Sequence, residues 1–350
     1  MTSTKTQVAY PIDAGARLAP GPVHSGTAVP ARAANVPSTA TAHGPSAPAG
    51  GERSSATGSV EGSHNTRKIK GPVHAWYPYS ECGAGCVAGE HDAPAAGPLT
   101  VAARAIGMLR LPGLIARAAV AASSPSARRR SAAGPEVART LLDYVGIDVI
   151  LDAQPRALEA LREKGVLVAV NHHTWWDVAV LASIAPMRFI ARDDLGRAPL
   201  VGGLVSTMGT VFIDRTSLRS LPGVVGESAR LLLEGHNVVA FPEATTWCGE
   251  AHGRFRPALF QAAIDAGTPV VPIEIEYRGR DGRRTGAAAF VGKDTVLSSV
   301  WNVISGRCTT VHVRLYPPLR PGQNAPETRR DLAAVAHHVI FGDRGERTHG

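Results

Sequence analysis

One short stretch, "VAVNHHTWWDVAVL" at residues 168–181, places two histidines and an aspartate inside an otherwise apolar sequence. His172 comes directly after a β-branched run, and Asp177 stands five residues further along the chain. With a tight turn between them, the Asp177 carboxylate can accept a hydrogen bond from one imidazole nitrogen, which leaves the other nitrogen as a proton acceptor. The spacing therefore predicts a general base, His172, together with an aspartate that orients it.

The sequence around this base offers no protein nucleophile. The chain contains no Gly-x-Ser-x-Gly segment, and neither Cys248 nor Cys308 stands in a nucleophile motif. A base without a nucleophile favours the activation of a substrate hydroxyl. The alternative is a buried histidine that bonds to aspartate for stability alone. We predict no metal at His172 and His173, because adjacent side chains point in different directions and no further ligand cluster follows.

The elements that must position these residues begin at about residue 136, where short β-branched runs alternate with helical ones. Strands are predicted at 166–170, 188–192, 210–214, 237–241, 270–277 and 310–316. Helices are predicted at "DVAVLASI", "LVGGLVSTM", "GESARLLLEG", "ALFQAAIDAG" and "ETRRDLAAVAHHVIF". This alternation predicts an α/β domain over residues 136–342, with a largely parallel central sheet flanked by helices. In such sheets sites gather at the carboxyl ends of strands, where His172 falls.

The first part of the chain has a different composition. Residues 1–70 are dominated by Ala, Gly, Pro, Ser and Thr, without a periodic apolar pattern, and are predicted to be a disordered low-complexity tail. The first residues contain no continuous apolar segment typical of a secretory signal, so we expect the protein in the cytoplasm.

Residues 71–97 are predicted to be a loop segment that contains Cys82 and Cys86. These two cysteines could bind a metal together with His74 or His91. Because no second cysteine pair follows at a matching spacing, the sequence favours two reduced thiols in a loop. Four cysteines are also too few and too scattered for a disulfide framework in a chain of 350 residues.

The formal net charge is +8, and part of it is concentrated between residues 98 and 135. Six arginines and no acidic residue stand there among Leu, Ile, Val and Ala: Arg104, Arg110, Arg117, Arg128, Arg129 and Arg130. This basic amphipathic segment predicts peripheral association with the inner face of the cell membrane, because the arginines interrupt the ~20 apolar residues that a membrane span needs. The alternative is a helix, kinked at Pro112, that docks on the following domain. The scarcity of aromatic residues argues against a nucleic-acid partner.

The segment "NHHTWWD" resembles the Asn-His-x-x-x-x-Asp block of the glycerolipid acyltransferases, the family of bacterial 1-acylglycerol-3-phosphate acyltransferases. Three further segments resemble the later blocks of that family in the same order: "GTVFIDR" at 209–215, "FPEATT" at 241–246 and "VVPIEI" at 270–275. The segment "ARDDL" at 191–195 and the segment of residues 255–273 also resemble this family. The resemblance covers residues 165–275 and leaves residues 1–135 unexplained.

The resemblance implies transfer of an acyl group from a thioester of coenzyme A or acyl carrier protein to a lysolipid hydroxyl, with no other cofactor. It implies that His172 is the general base and that Asp177 holds its tautomer. It also implies that Arg215 binds the glycerol phosphate and that Glu243 and Thr245 shape the acceptor pocket. The expected reaction is acylation of 1-acylglycerol-3-phosphate (lysophosphatidate) to phosphatidate in phospholipid biosynthesis.

The third block departs from the family at two positions. Ala244 replaces glycine, and because alanine tolerates a positive φ poorly, the turn is expected to take another shape. Thr246 replaces arginine, which exchanges a bidentate phosphate ligand for one hydroxyl. Similar Thr-Thr versions occur in acyltransferases for lysophosphatidylcholine and lyso-ornithine lipid, so these acceptors remain alternatives. Arg256 and Arg192 are candidates to restore the lost charge.

Two functions of other classes are also compatible with parts of the sequence. A non-catalytic lipid-binding protein would use the basic amphipathic segment, but it has no need of a His-Asp pair or of four blocks in order. A hydrolase would need a nucleophile or a metal cluster.

Overall fold

Seven strands in the described part of the chain form one sheet, and its order places the strand before His172 near the centre. The computed structural model describes residues 78–83, 85–87, 96–124, 127–163, 165–192, 210–214, 218–292, 294–307 and 310–342. The strands are β1 (Asp148–Ala153), β2 (Leu167–Val170), β3 (Arg188–Arg192), β4 (Val211–Ile213), β5 (Val238–Ala240), β6 (Val270–Arg278) and β7 (Thr310–Leu315). Their order is β1-β7-β6-β2-β5-β3-β4, and every neighbouring pair is parallel except β6 with β7.

Helices cover both faces of this sheet. Within the described residues they are α1 (Pro98–Leu109), α2 (Leu111–Ala122), α3 (Ala127–Val145), α4 (Pro155–Glu163), α5 (Trp176–Ile184), α6 (Leu221–Leu233), α7 (Phe260–Asp265), α8 (Val296–Ile304) and α9 (Arg329–Phe341). Side chains of β2 alternate between two core clusters: Val168 and Val170 pack with α2–α5 and α8, whereas Leu167 and Ala169 pack with α6, α7 and α9. The α/β fold class with a largely parallel sheet is confirmed.

All six predicted strands are present, within one residue of their predicted ends. The sequence analysis missed β1, which is an edge strand with the half-exposed Ile150, and also missed helices α3, α4 and α8. The predicted helix "LVGGLVSTM" and the predicted tail at 1–70 lie outside the described residues. The boundary predicted between residues 135 and 136 lies inside α3.

Helices α1 and α2 form the amphipathic segment in front of the domain. The stretch Pro98–Val120 is long and apolar enough to cross a membrane, by length and composition alone. α1 ends before Pro112, whose ring and missing N–H disfavour a continued helix. Arg104 on α1 donates hydrogen bonds to the backbone oxygens of Ile304 (3.2 Å) and Gly146 (3.3 Å). The segment therefore docks on the domain, as the alternative interpretation expected.

The same helices also expose apolar side chains. Leu99, Ile106 and Leu109 are seven and three residues apart, which places them on one side of α1, and all three are exposed, as is Val120 on α2. The segment thus docks on the domain and also presents exposed apolar side chains.

β2 is shorter than its neighbour β6, and this difference leaves space for a site at the carboxyl end of β2. β2 ends at Val170, opposite Ile273 of the parallel strand β6, but β6 continues to Arg278. Residues 274–278 therefore extend past the carboxyl end of β2, beside the turn that carries His172.

Candidate active site

The turn between β2 and α5 carries the predicted base and its aspartate. Because β2 ends at Val170 and α5 begins at Trp176, His172 lies in the turn and Asp177 in the first turn of the helix. His172 Nδ1 lies 2.9 Å from Asp177 Oδ2. The Asp177 side chain is fully buried, whereas the His172 side chain keeps 14% of its exposure. The buried Asp177 thus holds the imidazole, while part of the ring remains accessible to solvent.

Asp177 is surrounded by hydrogen-bond donors. Its Oδ2 accepts the backbone N–H groups of His173 (2.8 Å) and Thr174 (3.1 Å), and its Oδ1 accepts the Tyr277 hydroxyl (2.6 Å). Burial by itself raises the pKa of Asp177, but the hydrogen bonds from His172 and Tyr277 and the charge of the imidazoles outweigh it and lower the pKa. An ionised Asp177 only accepts hydrogen bonds, so we assign the proton to His172 Nδ1, which leaves Nε2 as the proton acceptor.

Two neighbouring groups fix the orientation of the His172 ring and backbone. The ring of Phe241 stacks on the imidazole, with centroids 3.9 Å apart and planes inclined by 23°. The backbone N–H of Trp247 donates to the backbone oxygen of His172 (2.8 Å). Both residues come from the segment after β5, the strand next to β2, and they join the first and third blocks in space.

The buried Glu243 also connects the turn that carries His172 to the loop after β5. Its Oε2 accepts the backbone N–H of His172 (2.8 Å), and its Oε1 accepts the backbone N–H of Gly253 (2.8 Å). Burial raises the pKa of Glu243 to about 8, opposed by these two N–H groups and assisted by the negative charge of Asp177. Its carboxyl group thus links the turn that carries the base to the loop after β5.

The second histidine of the pair points inward. His173 is buried, with Nδ1 3.2 Å from the backbone oxygen of Trp247 and Nε2 3.0 Å from the backbone oxygen of Ile275. Asn171 bonds to both backbone groups of Ile275, by donating to its oxygen (2.9 Å) and accepting from its N–H (2.8 Å). Asn171 and His173 therefore fasten the turn to β6, and the two adjacent histidines have different surroundings.

The turn of the third block keeps the left-handed conformation. Ala244 has φ 61°, so the expectation that alanine changes the shape of this turn is wrong. The backbone of the turn is held on both sides of Ala244 by bonds of Glu243 and Trp247 to the His172 turn, and these bonds outweigh the strain of a Cβ atom. The half-buried Thr245 follows in this turn, and Thr246 donates its hydroxyl to the backbone oxygen of Phe290 (2.5 Å).

Of the three predicted cationic ligands, only Arg256 is described in full. The backbone N–H of Arg256 donates to the oxygen of Pro242 (2.8 Å), which brings the partly buried Arg256 beside the third block. Arg192 ends β3 and pairs in register with Ile213 at the end of β4, and its side chain is outside the described part. Arg215 also lies outside the described residues.

The sequence analysis missed Phe241, which stacks on the base His172, and Tyr277, which donates to its partner Asp177. Tyr277 lies two residues beyond Ile275, so strand alternation puts both side chains on one face of β6 and could have indicated the contact. Phe241 opens the third block, but its ring contact with His172 depends on the neighbouring positions of β2 and β5 in the sheet.

Fold and site together define an α/β enzyme that has a histidine–aspartate base at the carboxyl end of a central parallel strand. The family model described as Acyltransferase matches residues 152–276. The chain is 35% identical over 191 residues to the 1-acyl-sn-glycerol-3-phosphate acyltransferase of Neisseria meningitidis, which covers 54% of this chain and 71% of that protein. It is also 35% identical over 185 residues to the lyso-ornithine lipid O-acyltransferase of Pseudomonas aeruginosa, covering 53% and 70% of the two chains.

The solved structures provide a matching fold. The crystal structure of the 1-acyl-sn-glycerophosphate acyltransferase PlsC from Thermotoga maritima has a TM-score of 0.50 and 16% identity, over 69% of this chain and 92% of that one. The chain belongs to the acyltransferase family and is an O-acyltransferase.

Proposed function

We propose that the protein transfers a fatty acyl group from acyl-CoA or acyl carrier protein to the free hydroxyl of lysophosphatidate. The observation that carries the proposal is the bond between His172 Nδ1 and the buried Asp177 carboxylate at the carboxyl end of β2. Because Nδ1 is engaged with Asp177, we assign the role of the base to Nε2 of this partly exposed imidazole. Relatives at equal identity act, by their names, on lysophosphatidate and on lyso-ornithine lipid.

In the proposed reaction His172 Nε2 removes the proton of the acceptor hydroxyl as its oxygen attacks the thioester carbonyl carbon. A C–O ester bond forms, the C–S bond breaks, and the imidazolium returns its proton to the departing thiolate. The products are the acylated lipid and a free thiol. Asp177 stabilises the imidazolium that forms between the two proton transfers, because its lowered pKa keeps it negatively charged.

The acceptor headgroup depends on the cations near the third block. The Thr246 hydroxyl is engaged with the backbone oxygen of Phe290, so it contributes little to binding a phosphate. Arg256 is tied to the same block through Pro242, and it supplies the charge that Thr246 lacks. Lysophosphatidate carries a phosphomonoester of nearly two negative charges, which favours recognition by Arg256 together with Arg192 or Arg215.

Lyso-ornithine lipid is the second candidate acceptor. It carries no phosphate, so a third block without an arginine suits it, and the relative from Pseudomonas aeruginosa bears that name. Lysophosphatidylcholine, whose phosphodiester carries one negative charge, is the remaining acceptor that the Thr-Thr block favours.

The site would work at a membrane surface, because both the lysolipid and its product are membrane lipids. The apolar side chains exposed on α1 and α2, and the arginines that follow them in the sequence, suit the interface of an anionic leaflet. We propose that this segment associates the enzyme with the cytoplasmic face of the cell membrane.

The acceptor is tested with purified full-length protein, an oleoyl thioester and a panel of lysolipids, with products identified by mass spectrometry. We expect phosphatidate as the main product, a raised KM for lysophosphatidate in Arg256→Ala, and a lowered or unchanged KM in Thr246→Arg. Efficient acylation of lyso-ornithine lipid or lysophosphatidylcholine with little phosphatidate would overturn the proposed acceptor. Thioester cleavage that is independent of any acceptor would indicate a hydrolase.

A further inference from the structure

Three cysteines come together behind the candidate active site, although the sequence analysis had connected only two of them. The sulfur atoms of Cys82, Cys86 and Cys248 all lie within 4.8 Å of one another. Cys82 and Cys248 are buried and Cys86 is exposed. The segment with the first two cysteines packs through Val87 against the loop after β5, in a small cluster that also contains Ala289 and Val291.

A backbone N–H group is directed at one of the three sulfur atoms. The backbone N–H of Cys248 points at Cys82 Sγ (N···S 3.5 Å). Such a hydrogen bond is the kind of outer-shell contact that orients a metal ligand. A disulfide would join only two of the three sulfurs and leave the third beside it without a function.

We propose that Cys82, Cys86 and Cys248 bind one zinc ion through their thiolates. With Zn–S bonds of about 2.3 Å, tetrahedral geometry places the sulfurs about 3.8 Å apart, so they need to approach by about 1 Å or less. Soft thiolate ligands in a tetrahedral arrangement select zinc over magnesium or calcium. The fourth position is available to water or to one further ligand near the exposed Cys86.

Such an ion would hold the loop that supports the base. Cys248 directly follows Trp247, whose N–H bonds to the backbone oxygen of His172 and whose own oxygen contacts the ring of His173. The ion would fasten the described residues around Cys82 and Cys86 to this loop, at a site separate from the His172 imidazole. The role we assign to it is therefore structural, and the proposal is independent of the acceptor and of the acyl donor.

The test is the metal content of the full-length protein purified in reducing buffer, measured by inductively coupled plasma mass spectrometry. We expect about one zinc ion per chain, and a loss of about tenfold or more in Cys248→Ala and in the exposed-site variant Cys86→Ser. Cys308→Ser, which changes the remaining cysteine of the chain, is the matched control and should retain its zinc.

A second measurement avoids variants that fail to fold. The wild type is stripped with a chelator and titrated with Co²⁺, which should give thiolate-to-cobalt charge-transfer absorption that Zn²⁺ then removes. Zinc should also raise the Tm of the stripped protein. The proposal is overturned if the stripped wild type binds neither ion, if Cys308→Ser loses zinc as Cys248→Ala does, or if peptide mapping finds a disulfide between Cys82 and Cys248.

Discussion

The Tyr277 hydroxyl lies 2.6 Å from Asp177 Oδ1, although a hundred residues separate the two in the chain. The contact arises because β6 continues past the end of β2 and carries Tyr277 alongside the first turn of α5. Tyr277 is buried and therefore acts on the carboxylate that orients the base, without reaching a substrate. It is a positioning residue, two steps removed from the proton transfer.

Tyr277→Phe should lower kcat by roughly tenfold, the equivalent of one net hydrogen bond, and leave the KM for the lysolipid unchanged. The reason is that Asp177 Oδ1 loses its donor and holds the imidazole less firmly. The matched control is Tyr316→Phe, since Tyr316 donates a similar bond to Glu274 (2.8 Å) on β6. Steady-state kinetics that show the same kcat in both variants would remove Tyr277 from the site.

Glu243 gives a pH dependence of stability with a defined sign. Its pKa is raised to about 8 in the folded protein from an ordinary value of 4.5, so between these values the folded state binds one more proton than the unfolded state. The stabilisation by the neutral carboxyl group is complete below the lower value and is lost as the pH rises through the higher one.

The matched variant Glu243→Gln has no charge to gain. The difference in free energy of unfolding between wild type and this variant should therefore shift against the wild type between pH 4.5 and about pH 8. Chemical denaturation across this range measures it. If the free energy of unfolding changes with pH in the same way in the two proteins, Glu243 keeps an ordinary pKa.

Ala244→Gly should stabilise the protein by about 0.5–1 kcal/mol. A left-handed backbone strains an L-residue by about 1–2 kcal/mol, and glycine removes this strain. The greater freedom of glycine in the unfolded chain offsets part of the gain. Ala266→Gly is the control, since Ala266 has φ −86° and gains no relief. Denaturant titration should show that Ala244→Gly raises the free energy of unfolding and that Ala266→Gly lowers it. A loss of stability in both would contradict the strain at Ala244.

The basic amphipathic segment, residues 98–135, should bind vesicles through its arginines and through its exposed apolar side chains. Changing Arg128, Arg129 and Arg130 together to Gln should weaken binding to anionic vesicles on the order of 100-fold at low salt, because each basic residue contributes about 1 kcal/mol near such a surface. The wild-type affinity should fall as salt is added. Binding that is insensitive to salt, measured by vesicle sedimentation, would leave only the docking role of these helices.

The apolar contact is tested on α1. Leu99 and Leu109 are 86% and 79% exposed, and the double change to Ser should release the protein from vesicles without altering its Tm. Leu233 on α6, which is 69% exposed and belongs to the helix layer on the other sheet face, is the matched control. Equal effects of Leu233→Ser would show that the binding is nonspecific.

The parts of this fold that sequence reasoning predicted are those where local pattern determines the outcome. β2 and β5 are short apolar runs rich in valine, and their burial between helices follows from that composition. β1 was missed because it is an edge strand whose alternate residues are exposed, so its apolar run is interrupted by Asp148 and Asp152. Its pairing with β7 depends on the far end of the chain.

The same distinction holds for the site. His172 and Asp177 are five residues apart, so one turn is sufficient to bring them together, and their spacing predicts the contact. Tyr277 reaches the pair only through the register of β6, and Cys248 reaches Cys82 only through the packing of the loop after β5 against Val87. Contacts that join distant segments depend on the assembled sheet, and the resemblance of single blocks does not specify them.

The central claim is that His172, held by Asp177, takes the proton of the acceptor hydroxyl. The most direct measurement is the rate of acylated lysolipid formation by wild type, His172→Ala and His173→Ala, with folding checked by circular dichroism. We predict a loss on the order of 10²-fold or more in His172→Ala. In His173→Ala we predict a much smaller loss in rate and a lower Tm, because His173 is buried against the backbone oxygens of Trp247 and Ile275. Equal losses of rate in the two variants would contradict the assignment of the base.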